Sequence, residues 1–201
     1  VQVTSRGLLQ DDAIIGTSLV DMYAKYGMLK KAQDIFEQIR TRDIVSWTAL
    51  MSGYTDHNCG FKAIMCYQHV KIEGLHPNDF TFSCILKACH ASNSCWITNI
   101  QSIQAREIGI EIHCELARIG SLDRNLIIAT SLVDMYSKCG ALEKAKEVFV
   151  QLPEQNVVTW NTLISAYGQL GETGVIFNIY NKMRAENVMP NSVTFMVLLN
   201  A

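Results

Sequence analysis

The chain has 201 residues, 17 basic and 19 acidic side chains and a formal net charge of −2, which argues against a partner held by bulk positive charge. Its 49% hydrophobic content can supply a sizeable core, yet its longest apolar runs fall far short of a bilayer span, so no membrane partner is expected. The seven cysteines lack the paired spacing that a disulfide framework or a zinc site needs. Even the local group of Cys84, Cys89, His90 and Cys95 reads as small buried hydrophobes in a reducing compartment rather than a metal site.

The elements follow from hydrophobic period. Over residues 14–26, Ile15, Leu19, Met22, Tyr23 and Tyr26 fall on one helical face, and Gly27 breaks the helix. Residues 28–39 resume with Leu29, Ala32, Ile35, Phe36 and Ile39, which closes a helical hairpin. A second hairpin spans 46–58 and 61–73. Residues 80–89 and 105–119 predict two more helices. The polar stretch 91–104 between them looks inserted, either as a disordered bulge or as an extra short helix. Next comes a helix with Ile128, Leu132, Met135 and Tyr136, a break at Gly140, then Leu142, Ala145, Val148, Phe149 and Leu152. Residues 159–170 and 172–186 form the last full hairpin. No stretch sustains strand alternation, so the fold class is all-α, a stack of helix-turn-helix hairpins.

The hairpins are copies. GTSLVDMYAKYGMLKKAQDIFEQI (16–39) aligns with ATSLVDMYSKCGALEKAKEVFVQL (129–152) at an offset of 113, identical at 14 of 24 positions. The register holds for DIVSWTALMSGY over NVVTWNTLISAY, and for GLHPNDFTF over NVMPNSVTF. A copy in constant register is the signature of an array, which places function on a surface shared by the repeats. The chain lacks an initiator Met and stops where the pattern has restarted, so both ends are expected to continue in a longer protein.

The phrases VVTWNTLISAYGQLG and YNKMRAENVMPN resemble pentatricopeptide repeats. TSLVDMYSKCGALEKAKEVFVQLPEQN resembles the family's short variant, and DFTFSCILKACH with EIHCELARIG its long variant, the alternation found in plant organelle proteins. On this resemblance residues 1–12 end a preceding repeat. Short units cover 13–43 and 126–156, standard units 44–78 and 157–191, and an interrupted long unit 79–125. Another long unit starts over 192–201. The implied architecture is a right-handed α-solenoid whose first helices line a concave face.

The resemblance implies sequence-specific binding of single-stranded RNA, one base per repeat. It assigns base reading to the fifth and last residues of each repeat. These are Thr17 with Asp43, Thr48 with Asn78, Ser83 with Asn125, Thr130 with Asn156, and Asn161 with Asn191. It assigns base sandwiching to the second residue, here Ile14, Val45, Phe80, Ile127 and Val158. Thr17, Thr48, Thr130 and Asn161 are expected in one row on the concave face. Lys25 and Lys138 share one repeat position and are candidate phosphate contacts. The implied tract is 5′-G-A-A-A-Y-3′, and the implied setting is RNA editing or processing in a mitochondrion or chloroplast. Editing-factor proteins would join the longer chain there. No cofactor or metal is implied.

Simpler roles stay open at each position. Asp43, Asn78, Asn156 and Asn191 precede helices and suit N-caps. Trp47, Trp160 and the repeat-fixed tyrosines Tyr23, Tyr54, Tyr136 and Tyr167 suit packing between hairpins. The alternative function is a protein-binding helical scaffold. The tetratricopeptide Trp-Leu-Gly and Ala-Pro signatures are missing, however, and so are deaminase, Walker and nucleophile-elbow motifs. Glu111 and His113 read as structural, and the chain is not expected to be an enzyme.

Overall fold

The computed structural model describes residues 13–91, 99–122, 124–168 and 171–199. These form eleven helices and no strand. They are α1 (Ala13–Lys25), α2 (Leu29–Gln38), α3 (Ile44–Asp56), α4 (Gly60–Ile72), α5 (Asp79–Ala91) and α6 (Asn99–Ile119). Then follow α7 (Leu126–Lys138), α8 (Leu142–Gln151), α9 (Val157–Gly168), α10 (Thr173–Ala185) and α11 (Ser192–Leu199). None of them is long and apolar enough to cross a membrane.

The chain divides into two compact units, meeting in sequence at Ile110 and Glu111. In the first, α1 packs on α2 and α3, and α3 packs on α4 and α5. First helices of successive hairpins therefore lie side by side, with second helices behind them. In the second unit α7 packs on α8 and α9, while α9 packs on α10 and α11. The stacked-hairpin, all-α class is thus the one expected.

Short-range chemistry fixes the hairpin turns. After α1 the N–H groups of Gly27 and Met28 return to the carbonyls of Ala24 and Tyr23, and Gly27 sits at φ +72°. That left-handed corner strains any side chain. Close helix approach needs a second glycine. A Cβ on Gly53 of α3 would lie 2.4 Å from the Cβ of Ala24 on α1, well inside contact distance. The repeat-fixed aromatics form the core between hairpins. Trp47 meets Phe36 edge to face at 4.5 Å, and Trp160 meets Phe149 at 4.7 Å, so the packing role of the tryptophans is the one seen.

Two expectations need correction. The buried stripe of α1 is Gly16, Val20 and Ala24, whereas Met22 and Tyr26, placed on the apolar face by their spacing, are exposed. Ala24 and Gly53 bring the backbones together there, so the small residues, not the large ones, mark the contact. The stretch 91–104 is also more regular than its polarity suggests. Ala91 ends α5, and residues 99–104 open the 21-residue α6, leaving only 92–98 of it outside the described residues. Nothing from Asn99 to Gln104 is a Gly or Pro, so the helix that buries Ala105, Ile108, Ile112 and Leu116 simply continues backwards.

Candidate functional site

Each first helix after α1 opens at a side-chain cap. The Asp43 carboxylate accepts from Ser46 N–H at 2.8 Å, Asn78 Oδ1 from Thr81 N–H at 2.9 Å, and Asn191 Oδ1 from Thr194 N–H at 3.0 Å. Asn125 Oδ1 accepts from Ile127 and Ile128, and Asn156 Oδ1 from Val158 and Thr159. A helix start leaves its first N–H groups without intrahelical acceptors, and Asp or Asn supplies one. The capping role is therefore realised at all five terminal positions. Because N–H donors occupy Oδ1, the amide nitrogens of Asn78, Asn156 and Asn191 are the ends left over.

Second in each repeat stands an apolar residue in water. Ile14, Val45, Phe80, Ile127 and Val158 are between 54% and 77% exposed. Val193 repeats the pattern at 47% and was missed by sequence reasoning, because its repeat has only begun. Burial of such side chains is worth roughly 1.5–3 kcal/mol each, so a ladder held out of the core at the repeat period is unusual for packing alone.

The fifth-position residues are less open than an exposed row requires. Thr17, Ser83 and Thr130 are half-buried. Thr48 and Asn161 are buried, at 4% and 8% exposure. The cause is the third residue of the following repeat. Thr48 Oγ1 lies 2.9 Å from Thr81 Oγ1, which in turn donates to Asn78 Oδ1 at 2.9 Å. Asn161 Nδ2 donates to Asn191 Oδ1 at 3.2 Å, and Thr194 Oγ1 donates to Asn161 Oδ1 at 2.7 Å. The two standard units thus join their fifth and last residues, through Thr81 in one and directly in the other. No such bond joins Thr17 to Asp43 or Thr130 to Asn156. Thr130 instead returns its hydroxyl to the carbonyl of Leu126 at 2.7 Å.

Ser46, Thr81, Thr159 and Thr194 are fully buried residues that the sequence reading passed over. Their signal was present as Asp/Asn-x-x-Ser/Thr, a capping-box spacing, and only Asn125-Leu-Ile-Ile128 lacks it. Each candidate phosphate contact meets an acid one turn earlier on its own helix. Lys25 pairs with Asp21 at 2.6 Å and Lys138 with Asp134 at 2.8 Å. His113 Nδ1 is hydrogen-bonded to Tyr136 at 2.9 Å, and burial, with Lys144 nearby, holds its pKa below the usual value. Cys84 and Cys89 are buried, while Cys95 and the side chain of His90 lie outside the described residues.

This geometry has known counterparts. Family models described as the PPR repeat family and the PPR repeat match residues 42–91 and 155–201, and residues 17–44 and 127–157, respectively. A putative pentatricopeptide repeat-containing protein of Arabidopsis thaliana is 34% identical over 94% of this chain and 30% of its own length. A mitochondrial pentatricopeptide repeat-containing protein of the same plant is 32% identical over 98% of this chain and 33% of its own. The pentatricopeptide repeat protein PPR10, solved in complex with an 18-nt psaJ RNA element, superposes with a TM-score of 0.72 at 17% identity. It covers 94% of this chain and 27% of that one. The chain therefore spans about a third or less of these relatives. Helical hairpins in one register, capped and packed alike, and matched by two repeat models over most of the sequence, make this chain a member of the pentatricopeptide repeat family.

Proposed function

We propose that the chain is part of an array that reads single-stranded RNA, one base per repeat. The observation that carries this reading is the set of exposed second-position residues, those after Ile14 each beside a polar cap. Flat bases stack on exposed apolar side chains whatever their sequence, while a hydrogen-bonding group alongside can distinguish their edges. Ile14, Val45 and Phe80 supply such platforms in the first unit, and Ile127, Val158 and Val193 in the second. The capping amides keep a donor group beyond the Oδ1 bond, and Asp43 offers an acceptor at the same place.

The electrostatics set a low ceiling on non-specific affinity. The net charge is −2, and Lys25 and Lys138 are already paired. Phosphate contacts normally dominate affinity, so binding should depend on salt less steeply than in basic RNA-binding domains. Relatives named as mitochondrial support an organellar location. A role in specifying sites for RNA editing or processing rests on the resemblance to plant organelle repeats.

The test uses this segment within its longer array and RNAs carrying 5′-G-A-A-A-Y-3′. Exchanging Asn156→Asp keeps the cap but replaces an amide donor by an acceptor. Fluorescence anisotropy should show the fourth-base preference moving from A toward G, on the roughly 1–3 kcal/mol scale of base readout. Lower affinity with an unchanged preference would leave Asn156 a helix cap and nothing more.

A further inference from the structure

Each copy of the hairpin pair holds a cavity against its repeat-fixed tryptophan, and the two are furnished differently. The first has a volume of about 400 Å³ and is lined by Trp47, Glu37, Glu73, Arg42 and Lys62 among others. There Trp47 Nε1–H donates to Glu73 Oε2 at 2.9 Å. The second, about 210 Å³, is framed by α8, α9 and α10, with Trp160, Val150, Val175, Lys146 and Lys182 in its wall. Trp160 is only 1% exposed and its N–H has no acceptor. Glu186 stands 113 residues after Glu73 but lies 3.8 Å from Lys182 Nζ. A buried donor without a partner is unfavourable and uncommon in folded proteins.

We propose that this second cavity is a docking site for an acidic segment of a partner protein. The segment's carboxylate takes, at Trp160 Nε1, the place that the Glu73 side chain holds at Trp47. The first copy thus shows the chemical class of the missing acceptor. The wall agrees in charge. Glu37 and Lys62 of the first copy are Val150 and Val175 in the second, and Gln33 and His69 are Lys146 and Lys182. The second cavity therefore has two ammonium groups and no carboxylate in its lining. The incoming acid draws Lys182 from Glu186 to itself, and apolar neighbours in the segment lie against Val150 and Val175. The volume falls below the roughly 300–1,000 Å³ of small-molecule pockets, which suits a side chain on a peptide better than a free metabolite. No residue of this wall belongs to the capping row, so RNA and a docked segment do not compete for side chains.

The test follows the three indole N–H signals, from Trp47, Trp96 and Trp160, in the ¹⁵N-labelled 201-residue chain. The probes are a blocked Leu-Glu-Val peptide, its Leu-Gln-Val isostere, and sodium acetate at matched concentration and ionic strength. Trp160→Phe assigns the reporter signal. The Glu peptide should shift the Trp160 N–H saturably and leave Trp47 in place. The Gln peptide should bind about tenfold or more weakly, as loss of a charge-assisted hydrogen bond predicts. Replacing Lys146→Ala and Lys182→Ala together should weaken the Glu peptide, with an unchanged thermal unfolding midpoint showing that the fold persists. An equal response to the Gln peptide, an equal response to acetate, or no response overturns the proposal. So does a shift of the free Trp160 N–H on Glu186→Gln, which would mean that Glu186 closes the site from within.

Discussion

Residues 13–78 and 126–191 are one hairpin pair written twice, and they differ in instructive places. The polar caps, the exposed second residues and the Phe–Trp contact are kept. The left-handed corners are kept too, although their residues trade places: Asn58 answers to Gly171, and Gly74 to Asn187, all at φ between 58° and 71°. The interior changes more freely. The counterparts of Gly53 and Ala24 are Ala166 and Ser137, and the half-buried Cys66 becomes Ile179. Just past these bounds, Cys84 of α5 becomes Val197 of α11. The repeated backbone thus depends on its ends and corners, and each copy solves its own packing. If so, the same substitution should cost different amounts in the two copies.

The largest difference is expected at the helix crossing. Gly53→Ala places a Cβ 2.4 Å from that of Ala24, and overpacking of this kind should cost about 1–3 kcal/mol in urea denaturation. The reciprocal Ala166→Gly loses helix propensity, roughly 0.5–1 kcal/mol, and one buried methyl, about 0.8 kcal/mol, but forces no backbone apart. A Gly53→Ala cost well below about 1 kcal/mol would mean that α1 and α3 can move apart and that the close approach is incidental.

Next are the corners. Gly171→Ala meets no atom within 4 Å, yet at φ +71° it should lose about 1–2 kcal/mol, purely from backbone strain. Asn58→Gly, at the matching corner, should be neutral or gain a few tenths of a kcal/mol. A destabilised Asn58→Gly would show that the Asn side chain holds its corner by a contact of its own.

The tryptophans should differ by about 1 kcal/mol. Trp47→Phe cuts the bond to Glu73, whereas Trp160→Phe removes a donor that has no partner. Thermal unfolding of the two variants measures the gap, and a larger loss at Trp160 would reverse the reading.

The smallest effect is alkaline. Burial pushes the thiol of Cys66 up to about 12 and that of Cys84 up to about 11, and the phenol of Tyr54 up to about 12. Each is raised above its unfolded value, so the unfolded chain releases protons first. The stability these groups contribute is complete below about pH 9 and is lost as pH rises toward 11–12. The variant Cys66→Ile, with Cys84→Val, imports the second copy's residues and should flatten the decline in urea midpoint above pH 9. An unchanged slope would assign the decline elsewhere.

The register of the repeats was legible because glycine breaks, Trp positions and Asp/Asn starts recur at fixed distances. Helix capping could be read from residues such as Asn156 alone, since a cap acts within one turn. The burial of Thr48 and Asn161 could not. It depends on Thr81 and Thr194, a whole repeat away, and no local pattern says which hydroxyl a fifth residue will meet. The α1 stripe failed for a related reason. A hydrophobic period finds large residues, whereas that contact is made by Ala24 and Gly53. Polarity misled at 99–104, because a helix anchored at Ile112 and Leu116 extends through polar residues unless something breaks it.

The double duty of the capping residues limits the vocabulary such an array can use. A residue at the end of a repeat must first hold the next helix, so only side chains that accept from backbone N–H groups are admissible there. Asn and Asp do this equally well and differ only in the second arm of the side chain, a donor in one and an acceptor in the other. Alternating between them changes what the surface offers while the scaffold keeps its stability. A letter from outside the capping set of Asn, Asp, Ser and Thr would be written at the expense of a helix.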